Sequence, residues 1–311
     1  MKRSAIMLGM LAVAAFAVAQ QTPSQQTQPA GAQGGTQKGA AQPGSATPAL
    51  QGKRPPQAKT QPEFDAYNAA MANQKDPAAM EKAADDFATK FPESELRVLL
   101  YKAAMRGYQN ANNGDKMAEM AQKLLKLDPD DPEALIASAE VIAERTRATD
   151  LDKAQRFDQA SKYAQHALET VDTDIPAPAN VPQAQLDAYK GLLRSTAYSV
   201  LGTIQYDQEK YPEAEGYFHK SIDAYPSQPD PVVVLRLALA LDKQGKYSDA
   251  LNEANRAVEL TQDGTPAGTT ARHERDRLMQ LTGSVIPSAG SSTPASKAPA
   301  PATPNSTQPP H

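Results

Sequence analysis

Apolar positions recur at i, i+3, i+4 and i+7 through most of the stretch from Glu63 to Ser284. That period of 3.6 residues predicts helices and no strands. The pattern is sharpest from Tyr198 to Pro226. Tyr198, Leu201, Gly202 and Gln205 share one face of a first helix. After a polar break at "QEKYP", Ala214, Phe218, Ser221, Ile222 and Tyr225 form the stripe of a second. Pro212 suits the first turn of that second helix, where its missing N–H is no loss, and Pro226 cannot continue it. Two antiparallel helices then cross closely at Gly202 and Ala214, because a larger side chain there would hold the backbones apart. Tyr198, Tyr211 and Phe218 fill the space beside the crossing.

This pattern of small and bulky residues resembles the tetratricopeptide repeat, a helix–turn–helix unit of about 34 residues with the signature W-x2-L-G-x2-Y…A-x3-F…P. Here it reads Tyr198-x2-Leu201-Gly202, Ala214-x3-Phe218 and Pro226, with the mid-helix aromatic, Tyr206, one residue later than in the family. A second copy follows, with Leu237-Ala238, Leu241, Gly245, Tyr247, Ala250, Ala254 and Ala257 in register. Upstream, three more degenerate pairs are anchored on Tyr67, Phe87 and Pro92, on Tyr101, Tyr108 and Pro129, and on the segment from Glu133 to Val171. "TTARHERDRLMQLTG" matches the solitary polar-faced helix that covers the end of such arrays. The resemblance implies an all-α, right-handed α-solenoid of about five helix pairs plus a C-terminal capping helix, flanked by disordered tails. "TDIPAPANVP", residues 173–182, cannot be helical; it reads as a surface excursion within one solenoid rather than a hinge between two. The helix after it is longer than the family norm, with spare length to pack against that excursion.

Composition sets the boundaries of the array. Residues 20–62 and 285–311 carry no acidic or aromatic residue and hold 14 of the 26 prolines. Such stretches bury too little apolar surface to offset the entropy of ordering, and they read as disordered linker and tail. Residues 63–284 form the folding section. Residues 1–19 carry Lys2 and Arg3, an apolar run and a small-residue site at Ala17-Val18-Ala19, the arrangement of a secretory signal peptide. The chain therefore reads as exported, periplasmic or secreted, with no transmembrane segment after cleavage. With no cysteine, packing alone must hold it together.

All 36 acidic residues fall in residues 63–284 against 25 basic ones, a net charge of −11, whereas residues 20–62 carry +4. An acidic body lacks the basic footprint that nucleic acid requires. No catalytic constellation is visible. His166, His219, His273 and His311 are scattered, and there is no zinc-protease, phosphate-loop or nucleophile-elbow motif. "LDPDDPEA", residues 127–134, lacks the glycine and distal glutamate of a calcium loop and reads as a turn with Asp131 capping the next helix. The expectation is no enzyme, no metal and no cofactor.

Binding remains. The resemblance implies that the first helices of successive pairs line a concave groove that receives a protein or peptide partner. Carried onto this sequence, the groove candidates are Lys102, Arg106 and Asn110, then Ser199, Thr203 and Tyr206, then Arg236, Leu239 and Lys243. Each trio shares one helical face. The four cations among them would engage carboxylates of the partner. The chaperone-tail clamp of some relatives needs a Lys/Asn set that is absent here. The function expected is an exported scaffold or adaptor, with a tether whose tails hold envelope or wall polymer as the alternative.

Overall fold

The computed structural model describes residues 53–176 and 181–283. Among them are eleven α-helices and no strand: α1 (Gln61–Met71), α2 (Pro77–Lys90), α3 (Arg97–Asn110), α4 (Gly114–Leu127), α5 (Pro132–Arg145), α6 (Lys153–Thr170), α7 (Gln183–Asp207), α8 (Tyr211–Ala224), α9 (Pro231–Lys243), α10 (Tyr247–Leu260) and α11 (Pro266–Thr282). The signal segment, most of the linker, the last tail and residues 177–180 lie outside the described residues.

Local chemistry sets the helix starts. Asp76, Asp131, Asp230 and Thr265 each cap a helix that opens on proline, their side chains accepting backbone N–H groups of the first turn. Carboxylate or hydroxyl caps and proline at the first position both answer the unpaired N–H groups of a helix start. Asp131 is thus the capping residue expected of "LDPDDPEA"; its Oδ1 accepts from Ala134 N at 3.0 Å. The other two carboxylates of that turn are held by Lys53 and His166.

Consecutive helices pack as couples, α1 with α2 through α9 with α10, and α11 closes the stack against α9 and α10. First helices also touch one another directly, α1 with α3, α5 with α7, α7 with α9 and α9 with α11. They form an inner layer, and the second helices an outer one. On the outer side α2 and α4 are tied by ion pairs, Lys116 to Glu81 at 3.1 Å and Lys123 to Asp85 at 2.7 Å.

The fully buried Phe218 of α8 packs directly on Gly202 of α7, where an added Cβ would fall 2.6 Å from two ring carbons. The same helix makes a second close approach that the repeat signature does not contain. A Cβ at Gly191 would lie 2.7 Å from the carbonyl oxygen of Ala224. At the turns inside pairs, Gly245 takes a left-handed φ of +74° without strain, and Glu209 holds φ 61° at the equivalent place one pair earlier.

Packing runs without interruption past the proline-rich segment. Ala139 and Ala143 of α5, Phe157 and Ala160 of α6 and Val200, Leu201 and Ile204 of α7 share one buried cluster. The additional N-terminal length of the 25-residue α7 carries Leu186, which is buried with Val171 and Ile175.

One boundary needs correction. The sequence places all of residues 20–62 in a disordered linker, but α1 begins at Gln61 and residues 53–60 lie extended on the repeats. Composition misses this because the stretch's apolar anchor is slight, Ala58 against the first core cluster. Its cations instead find acceptors on the acidic body: Lys53 bonds Asp128 at 2.5 Å and Arg54 bonds Glu95 at 2.5 and 2.8 Å.

Candidate partner-binding face

The inner layer is built from the first helices α3, α5, α7 and α9. On α3 the expected groove cations sit one turn apart, and α5 opposes them with Glu133. Arg106 makes a two-pronged contact with Glu133, both bonds 2.7 Å, and its Nη2 also donates to the Tyr189 hydroxyl of α7 at 3.1 Å. Lys102 pairs with Asp131, the cap of α5, and with Glu133 at 3.1 Å. One guanidinium therefore links three first helices.

The Lys102 and Glu133 side chains are largely withdrawn from solvent, 15% and 12% exposed, whereas that of Arg106 is 36% exposed. Burial opposes the charge on Glu133, yet Arg106 and Lys102 overwhelm it and hold the carboxyl far below the usual range. Burial likewise opposes the charge on Lys102, and Asp131 and Glu133 raise its pKa in spite of it. Lys102 and Arg106, expected to engage a partner's carboxylates, already carry carboxylate partners within the chain. These bonds tie α3 to α5 and α7.

The other candidates divide. Thr203 and Arg236 are brought together, the guanidinium Nη1 donating to Thr203 Oγ1 at 2.8 Å, which links α7 to α9. Ser199 is buried, and its carbonyl accepts the Thr203 hydroxyl at 2.8 Å. Tyr206 and Leu239 pack against the core of the last repeats, Tyr206 edge-on to Tyr211 at 5.4 Å between ring centres. Burial, with Tyr211 and Asp242 beside it, pushes the Tyr206 phenol up to about 12. Asn110 and Lys243 are exposed at the ends of α3 and α9. Those two are the candidates fully open to a partner.

Sequence reasoning missed Glu133, Tyr189 and Glu140. The rule that picked the trios on α3, α7 and α9, applied to α5, yields Glu133, Glu140 and Glu144 at i, i+7 and i+11. Glu140 is half-buried on the inner face. Burial, with Glu144 and Asp230 nearby and Arg236 opposing them, pushes its carboxyl up to about 8 from 4.5.

A native pKa above the unfolded one means that the folded chain keeps a proton the unfolded chain has released. The associated stability is full below about pH 4.5 and is lost as pH rises toward 8. Glu140→Gln is therefore expected to leave the melting temperature nearly unchanged at pH 4.5 and to raise it at pH 8.5. After solvent screening the gain is of the order of 1 kcal/mol, or about 2–4 °C for a domain of this size. Thermal melts at the two pH values measure it, and an equal shift at both would contradict the assigned environment.

Helices coupled in this way, with first helices inside and second helices outside, form an α-solenoid of the tetratricopeptide-like fold. No family model and no curated protein matches the chain. Among solved structures it is similar to PilF of Pseudomonas aeruginosa, with TM-score 0.50 and 17% identity over 72% of this chain and 87% of that one. PilW, described as a widely conserved type IV pilus biogenesis factor, gives TM-score 0.48 and 18% identity over 72% and 88%. TTC0263, a thermophilic TPR protein of Thermus thermophilus, gives 0.43 and 13% over 70% and 100%. At such identities the likeness is one of fold. No described helix is long and apolar enough to cross a membrane.

Proposed function

We propose that the chain is an exported, non-enzymatic adaptor whose inner face holds an extended segment or helix of a protein partner. The observation that carries this reading is the inner layer itself. Four first helices present charged and polar side chains on one face, held in register by the Arg106–Glu133–Tyr189 and Thr203–Arg236 links. A preorganised face loses little freedom on binding, so contacts made there convert efficiently into affinity. In this reading Asn110 and Lys243 touch the partner directly, whereas Lys102, Arg106, Thr203 and Arg236 shape the face.

Affinity capture with the full mature chain from an extract of the source cells' envelope tests it. Asn110→Glu combined with Lys243→Glu changes two exposed side chains and should leave the melting temperature within about 1–2 °C of the parent. The variant is expected to lose the proteins that the parent retains. Equal retention by both would remove the inner face as the binding surface.

A further inference from the structure

The segment Lys53 to Thr60 crosses the edge of the array, where the loops between successive pairs emerge. Lys53 and Arg54 reach different inter-repeat connections. Lys53 Nζ bonds Asp128 at 2.5 Å and Asp174 at 3.2 Å, and its backbone N–H donates to the Thr173 carbonyl at 2.9 Å. Arg54 makes a two-pronged bond with Glu95, which also accepts the Gln57 N–H at 3.3 Å. Lys59 Nζ donates to the Glu93 carbonyl at 2.9 Å. The acceptors come from three consecutive inter-repeat connections, α2–α3, α4–α5 and α6–α7.

Little apolar surface helps to hold this strap. Of residues 53–60 only Pro56 and Ala58 are partly buried; the Lys53 side chain is 41% exposed and that of Arg54 is 64% exposed. A cavity of about 350 Å³ remains beside the strap, lined by Pro56, Arg97, Val98 and Leu127 among others. The body thus offers a ready-made set of carboxylates and carbonyls, and the strap meets them by charge without filling the cleft. The Arg54–Glu95 pair is exposed on both sides, and such a pair shifts an equilibrium by roughly five-fold at most; the Lys53 ammonium is itself 41% exposed, so salt weakens both contacts. Such a contact is suited to exchange. The two prolines favour the extended form before docking, which lowers the ordering cost.

We infer that this acidic edge, built from Glu95, Asp128 and Asp174, is a second peptide-binding site, separate from the inner face. Its ligand is an extended segment with adjacent Lys and Arg followed by prolines, and the chain's own strap is its resident occupant. A resident occupant on a short tether competes at an effective concentration in the millimolar range. Access by a second segment therefore requires the strap to be released.

The test uses the full mature chain and, as probe, a labelled synthetic peptide of residues 51–60. Lys53→Ala combined with Arg54→Ala removes the strap's ion pairs to Glu95, Asp128 and Asp174 without touching the acceptors. The peptide is expected to bind this variant at least ~10-fold more tightly than it binds the parent. Adding Glu95→Gln or Asp128→Asn, or raising the salt from about 0.05 to 0.5 M, should remove most of that binding. In a second measurement on the otherwise native chain, Glu95→Gln should speed trypsin cleavage after Lys53 by about two- to five-fold, because loss of the Arg54 pair loosens the strap. Failure of the peptide to bind the strap-disabled variant, equal binding to both chains, or a cleavage rate indifferent to Glu95→Gln would each overturn the site. None of these outcomes bears on the inner face, so the two readings fail independently.

Discussion

Phe218→Ala is expected to destabilise the chain by about 3–5 kcal/mol, the usual range for removing a fully buried phenylalanine. The ring has no solvent exposure, and its partner across the helix crossing is a glycine with no side chain to move into the void. The gap left at Gly202 can close only by shifting α8 toward α7, which the approach of Gly191 to the Ala224 carbonyl already limits. Urea denaturation of parent and variant measures the loss. Tyr247→Ala, at a ring that is 42% exposed, is the control and should cost under about 1 kcal/mol. Equal losses at the two positions would mean that Phe218 does not plug the crossing.

Glu133→Ala is expected to cost about 2 kcal/mol, below the range for breaking a fully buried charge pair because the Arg106 side chain is 36% exposed and can regain water. Lys102 keeps Asp131, but Arg106 keeps only the Tyr189 hydroxyl among its bonded partners. The loss comes mainly from a guanidinium stranded between α3 and α7. The same denaturation experiment reads it, with Glu133→Gln as companion, since the amide keeps a neutral acceptor and should cost less. Unchanged stability in Glu133→Ala would return Lys102 and Arg106 to the role of free hooks for a partner's carboxylates.

The array was legible in the sequence because its signals are local. Gly202 and Phe218 stand at fixed helical offsets, and capping residues followed by proline mark α2, α5, α9 and α11 before any packing is known. The inner face was only half legible. Helical periodicity shows which side Lys102 and Arg106 occupy, but their partners lie 27 to 83 positions away. No period in one helix reports what its neighbour presents, so Glu133 and Tyr189 went unseen. The strap was illegible for the same reason in a stronger form. Its composition is that of a disordered linker, and its order comes from carboxylates supplied by three separate loops.

The central claim is that the helix pairs form one stack that continues past residues 173–182. Hydrogen exchange along the full chain tests it most directly, because cooperative units open and protect their amides together. The shared cluster of Phe157, Leu201 and Ile204 predicts that α5, α6, α7 and α8 exchange as one strongly protected unit. Two sets with separate opening energies, one ending at α6 and the other beginning at α7, would contradict it.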